Sequence, residues 1–206
     1  MKTFIVLASG RGSNFQAVID AVSRGEFPAV CSGLVTDNPL AYAIIRAEQA
    51  GIPVYIVDYA AFPSKNEYEE QLERVLIDLS ADLYVLAGYM RIIGAGIVSA
   101  FRGRMINIHP ALLPSFPGLH AQDQALSYGV KVSGCTVHFV DEGTDSGPVI
   151  LQACVPVFED DDAESLSVRI LEQEHQCLPR AIRLFFEDRL VSEGSRVRIL
   201  PKEGPR

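Results

Sequence analysis

The chain has few of the features that commit a protein to a metal, a membrane or a nucleic acid. Its four cysteines, Cys31, Cys135, Cys154 and Cys177, lie in apolar or helical stretches without paired ligand spacing, so they read as reduced core residues and no metal is expected. Basic residues are in deficit, 18 Lys and Arg against 26 Asp and Glu, and the net charge of -8 leaves no basic footprint for a nucleic acid. The opening run Met1–Leu7 is cut by Ser9-Gly10-Arg11-Gly12 and is too short for a secretory segment, so the cytoplasm is the expected location and no membrane partner is expected. There is no internal repeat, low-complexity segment or convincing linker. The 206 residues, 48% hydrophobic, can bury one sizeable core and read as a single domain, 1–206, with a C-terminal tail from about 190. Asp160-Asp161-Asp162 reads as a solvated first turn of the last helix, stabilised by the helix dipole, rather than as a metal site.

What is present is a regular alternation. Apolar runs at 3–8, 29–36, 54–57, 83–87 and 105–108 read as strands, and helical periodicity appears at 14–23, 41–50 and 66–79. Apolar strands alternating with helices predict an α/β fold with a Rossmann-like, mainly parallel twisted sheet and helices on both faces. Ligands then gather where the strands end. Beyond a helix at 123–128 the beat changes. Two extended runs, 130–140 and 148–157, have no helix between them and predict an antiparallel C-terminal extension. A long helix over 163–187 follows, with Leu166, Ile170, Leu178, Ile182 and Phe185 on its apolar face, and then a short strand at 196–200 and a charged end.

The richest segment is Met105-Ile106-Asn107-Ile108-His109-Pro110. Strand alternation sends Asn107 and His109 out of the same face, and Pro110 stops the strand. An amide can donate to a developing oxyanion, and an imidazole can donate or accept a proton near neutrality, a combination suited to acyl-type transfer. Read alone, the pair fits better as a turn cap and a satisfied half-buried histidine; the downstream sequence reverses that preference. Further along, Cys135–Val140 runs into Asp141-Glu142-Gly143-Thr144-Asp145-Ser146-Gly147-Pro148, a turn able to bring Asp145 to His109 and fix its ring. His120 and His138 are further candidates, His138 as an orienting group, and His175 reads as helix packing.

Ser9-Gly10-Arg11-Gly12-Ser13-Asn14 lies between a strand and a helix, where backbone N–H groups and the helix dipole attract phosphate. It is not the dinucleotide fingerprint, because Phe15 takes the place of the third glycine, although Asp37 follows the second strand where a ribose-binding acid sits in that motif. Gly88-Tyr89-Met90-Arg91-Ile92-Ile93 follows the fourth strand with an apolar slot in Met90, Ile92 and Ile93 and a charge in Arg91, the usual setting for a flat heterocycle.

In combination, Asn107-Ile108-His109-Pro110, Leu112-Leu113-Pro114, Pro117-Gly118-Leu119-His120 and Asp145 resemble the folate-dependent formyltransferases, over nearly the whole chain from Ser9 to His175. The resemblance is strongest to those members whose acceptor is phosphoribosylglycinamide. It implies the formyltransferase fold and formyl transfer from 10-formyltetrahydrofolate to the acceptor's amine in purine biosynthesis, in a monomer or homodimer. It further implies Asn107, His109 and Asp145 as catalytic residues. Gly12, Ser13, Asn14 and Glu174 would bind the phosphoribosyl acceptor, and Met90, Arg91, Ile92, Ile93 and Lys65 the folate. The family commonly has arginine at the position of Lys65; lysine offers a point charge rather than a planar fork.

Three alternatives remain at this stage. A formyltetrahydrofolate deformylase uses the same three groups with water as acceptor, but a phosphate-type loop has no purpose there and no regulatory domain is expected before Thr3. Transfer to methionyl-tRNA or a sugar nucleotide goes with a C-terminal module for which the end of the chain leaves no expected room. A non-catalytic folate or nucleotide-binding module would not be expected to retain Asn107, His109 and Asp145.

Overall fold

The computed structural model describes residues 1–202. It divides into two compact units, one running from Met1 to Asn107 and the other starting at Ile108.

The first unit is built from five parallel strands, β1 (Lys2–Leu7), β2 (Ala29–Thr36), β3 (Val54–Ile56), β4 (Leu83–Leu86) and the start of β5 (Met105–His109), in the order β3-β2-β1-β4-β5. Phe4, Ile5, Val6 and Leu7 are all fully buried, as are Leu83, Tyr84 and Val85. Consecutive burial on both sides of a strand explains why these segments are unbroken apolar runs rather than alternating ones. Helices α1 (Ser13–Ser23), α2 (Ala43–Gln49), α3 (Lys65–Leu79) and α4 (Ala95–Ala100) supply the cover. Ser64 caps α3, its hydroxyl accepting from the N–H of Glu67 at 3.3 Å, so the helix begins one residue before the expected Asn66. On its inner face, Tyr68, Leu72 and Leu76 are buried, and truncating either leucine to alanine costs about 2–5 kcal/mol. The buried Tyr84 hydroxyl donates to the carbonyl of Leu76 at 2.8 Å and accepts from Ala81 N–H at 3.1 Å.

The second unit carries α5 (Ala121–Tyr128), β6 (Val132–Phe139), β7 (Val149–Pro156), α6 (Ala163–Phe186), β8 (Leu190–Glu193) and β9 (Arg196–Ile199). β6 and β7 pair antiparallel, as expected, and β8 and β9 form a second antiparallel pair whose β9 lies beside β7. α6 opens with a capping box in which the Asp162 carboxylate accepts from Ser165 N–H at 2.8 Å and the Ser165 hydroxyl accepts from Asp162 N–H at 3.0 Å. It buries Leu166, Ile170, Leu178 and Ile182 on the expected stripe, whereas Phe185 is half-buried and its neighbours Leu184 and Phe186 go inside.

Four features depart from the sequence expectations. α4 and β8 were not anticipated. Cys154 is exposed, because it alternates outward on β7, while Cys31, Cys135 and Cys177 are buried; none forms a disulfide. Asp161 is not solvated: its side chain is 3% exposed and takes two hydrogen bonds of 2.8 Å from the guanidinium of Arg169, which holds its carboxyl well below the usual range. The charged end after residue 202 lies outside the described residues.

Candidate active site

The second unit contains a buried cluster of titratable groups. β5 delivers His109, 4% exposed, and its Nε2–H donates to the carbonyl oxygen of Phe116 at 2.8 Å. The other ring nitrogen, Nδ1, lies 3.3 Å from Asp145 Oδ2. Phe116 reaches this position with a left-handed backbone, φ 56°, in the turn that follows Pro114. The segment before Pro114 is tethered by Thr136, fully buried on β6. Its hydroxyl donates to Ala111 O at 2.6 Å and accepts from Leu113 N–H at 3.0 Å, while Gln152 of β7 donates to both Leu113 O and the Thr136 oxygen.

Asp145 projects from the connection between β6 and β7 with φ 53°. The connection closes on itself: Asp141 Oδ1 accepts from Ser146 Oγ at 2.8 Å and from Gly143 N–H at 3.2 Å. A Cβ at Gly147 would sit 1.8 Å from the carbonyl oxygen of Phe139, so only glycine fits that turn. Asp145 Oδ2 accepts from Gly118 N–H at 2.8 Å, and Oδ1 lies 3.6 Å from His138 Nε2. Burial opposes the charge on this carboxyl, but the His138 hydrogen bond, the Gly118 N–H and the field of both histidines outweigh it and hold Asp145 below the usual carboxylate range. It is ionised at neutral pH. Glu174, on α6, is 6% exposed and not the solvent-facing helix residue its charge would suggest.

The first unit holds the two glycine-containing loops. Gly12 is the N-cap of α1 with φ 67°, and no side chain caps the start of that helix, where Ser13 and Asn14 lie in the first turn. The close approach that Gly12 permits is to α2: a Cβ there would lie 2.8 Å from the Cβ of Ala43. By contrast, Gly10 has open space around it. Ser9 links this loop to the one after β4, accepting from Met90 N–H at 2.8 Å and donating its own N–H to Gly88 O at 3.0 Å.

In the β4 loop, Met90 and Ile92 are 59% and 67% exposed, but Ile93 turns inward, so two of the three expected apolar side chains share the surface. Arg91 is clamped rather than free. Its Nε donates to Asp37 Oδ2 at 2.6 Å and its guanidinium lies 3.9 Å from the Tyr59 ring centroid. Asp37, which followed β2 in the manner of a ribose-binding acid, is spent on this pair. Lys65, at the start of α3, is half-exposed and 3.3 Å from Glu69. Asn107 is half-buried on β5. Among the described residues, no group of three His, Cys, Asp or Glu is placed to hold a metal ion, and no helix is long and apolar enough to cross a membrane.

A buried imidazole gripped by a main-chain carbonyl and facing an ionised carboxylate suits proton handling at a charged transition state. The formyl transferase family profile matches residues 2–182. The chain belongs to the formyl transferase family.

Within that family, the phosphoribosylglycinamide formyltransferase of Bacillus subtilis is 43% identical over 183 residues, covering 89% of this chain and 94% of that protein. The crystal structure of glycinamide ribonucleotide transformylase 1 from Symbiobacterium toebii superposes with a TM-score of 0.94 at 50% identity, covering 98% of this chain and 95% of that one. The trifunctional purine biosynthetic protein adenosine-3 of Drosophila melanogaster is 48% identical over 185 residues; this chain spans only 14% of its length. The mainly parallel α/β fold with antiparallel C-terminal strands is therefore the formyltransferase fold expected from the sequence.

The structure brings His109 and Asp145 together as expected and adds His138 to them. What sequence reasoning missed is the main-chain clamp by Phe116, the Thr136 and Gln152 tether, and the diversion of Arg91 to Asp37. A carbonyl acceptor leaves no mark in a sequence; the spacing of Asp37 after its strand did mark it as a special acid, but for another partner.

Proposed function

We propose that residues 1–206 form one catalytic domain that transfers the formyl group of 10-formyltetrahydrofolate to the amine of phosphoribosylglycinamide, giving formylglycinamide ribonucleotide and tetrahydrofolate in purine biosynthesis. In this reading the neutral amine attacks the formyl carbon, and Asn107 and protonated His109 donate to the oxyanion of the tetrahedral intermediate, His109 by exchanging the Phe116 carbonyl at Nε2 for the oxyanion. Asp145 holds the His109 ring in place, and the proton leaving the attacking nitrogen passes through His109 or water to the departing folate nitrogen. No covalent enzyme intermediate and no metal is used.

The observation that carries this reading is the buried contact of His109 Nδ1 with Asp145 Oδ2 at 3.3 Å. The uncapped start of α1 at Gly12, Ser13 and Asn14 supports a phosphate site, and Glu174 is assigned to the ribose hydroxyls. Met90, Arg91, Ile92 and Ile93 of the β4 loop are assigned to the folate, its flat ring in the apolar slot and Arg91 at the mouth, with Lys65 assigned to its anionic tail. The enzyme is assigned to the cytoplasm as a monomer or homodimer.

The test is release of tetrahydrofolate from 10-formyltetrahydrofolate with and without phosphoribosylglycinamide. Acceptor-dependent release is the expected outcome. Equal release without acceptor would make the protein a deformylase, and no release from folded protein would remove the enzymatic reading.

A further inference from the structure

His138 and His109 are held as mirror images about one carboxylate. Each ring donates from one nitrogen to a main-chain carbonyl at 2.8 Å, His109 from Nε2 to Phe116 and His138 from Nδ1 to Phe139. The remaining nitrogens face different oxygens of Asp145: His109 Nδ1 is 3.3 Å from Oδ2, and His138 Nε2 is 3.6 Å from Oδ1. His138 is 2% exposed and Asp145 13%, so both rings act on the carboxylate where water competes poorly.

The asymmetry lies in what else each oxygen does. Oδ2 also accepts from Gly118 N–H, while Oδ1 faces His138. A carboxylate on a left-handed residue in an exposed turn has freedom about its side-chain torsions, and two oxygens gripped from opposite sides remove it. The carbonyl of Phe139 is on the same residue whose oxygen excludes any Cβ at Gly147, so the clamp on His138 and the tight turn that presents Asp145 share one peptide.

We propose that His138 is a positioning residue for the reaction: it fixes the Asp145 carboxylate through Oδ1 so that Oδ2 meets His109 Nδ1 in productive geometry. In this role it acts through Asp145 rather than on a substrate. The inference rests on the reading of His109 and Asp145 as the proton-handling pair, and the experiment separates the two.

Steady-state kinetics of His138→Leu, His138→Gln and His109→Ala, with nitrogen-15 spectra of the imidazoles, provide the test. Outer-shell partners of this kind are worth about 10- to 100-fold, so His138→Leu is expected to lower kcat at least about tenfold. KM for both substrates is expected to stay within about twofold, since no binding contact is lost. Glutamine, whose amide nitrogen can occupy the place of Nε2, is expected to recover most of the loss, which a purely packing role would not allow. The spectra are expected to find a proton on His138 Nε2, the nitrogen that faces Asp145, as well as on Nδ1, which faces the Phe139 carbonyl. His138→Leu with native kcat beside an inactive His109→Ala would overturn the positioning role while leaving the proposed reaction standing. An active His109→Ala would overturn the reading of the pair itself. Should the leucine variant fail to fold, the spectra of the native protein decide: a His138 Nε2 that carries no proton overturns the inference.

Discussion

The two units expose their candidate functional groups to different degrees. In the first the set is mixed: Met90 and Ile92 are more than half exposed and the first turn of α1 has no side-chain cap, while Asn14 and Ile93 are buried. In the second, His109, His138 and Glu174 are all below a tenth exposed and Asp145 only slightly above. The difference follows from the physics of the two tasks. A surface that recognises phosphate or a flat ring must be open before the ligand arrives, and its affinity comes from backbone dipoles and apolar area. A group that moves a proton gains from a low-dielectric setting with fixed partners, where each interaction is stronger than in water.

The comparison breaks most sharply at the buried pair. His109→Ala and Asp145→Asn are each expected to reduce kcat by about 10²-fold or more while leaving the melting transition largely in place. Turnover measured beside a thermal melt checks this. Retained activity in both variants would mean that burial serves packing alone.

In the first unit the corresponding probe is Gly12→Ala. Alanine there must hold a positive φ and meet Ala43 at 2.8 Å, so a loss of about 1–3 kcal/mol is expected together with a higher KM for the phosphorylated acceptor. Gly10→Ala, with open space around its Cβ, is the control and is expected to shift stability by less than about 1 kcal/mol. Calorimetry of the two variants settles whether the loop tolerates substitution by position or not at all.

The smallest effect concerns α6. Asp161 has its folded pKa depressed by Arg169, so its contribution is present above the unfolded value of about 3.9 and is lost as pH falls through the lower folded value. The melting temperature of Asp161→Asn is expected to lie below that of the native protein at pH 7, with the gap closing below about pH 4. A gap that persists unchanged in acid would assign the effect to shape rather than charge.

The fold was largely legible because each strand of the first unit is a continuous apolar run and each long helix carries a clear stripe. α4 escaped notice because Gly94 and Gly96 bracket its start and six residues give no full periodic signal. β8, Leu-Val-Ser-Glu, is too short and polar to stand out from a tail. At the site, the sequence named His109 and Asp145 because strand alternation and a glycine-flanked turn are local signals. It could not reveal that Arg91 turns away to Asp37, since that pairing spans 54 positions and depends on β2 and β4 ending at one edge of the sheet with β1 between them. Nor could it foresee the burial of Glu174, where the helical stripe and the charge argue in opposite directions.

The exposure of Cys154 has a practical side. With the other three thiols enclosed, a maleimide fluorophore or spin label will attach at one position of the native chain without any cysteine being engineered or removed. That position pairs with Gly134 on β6, four residues before His138, so the tag reports from the strand pair that carries Asp145 between its ends.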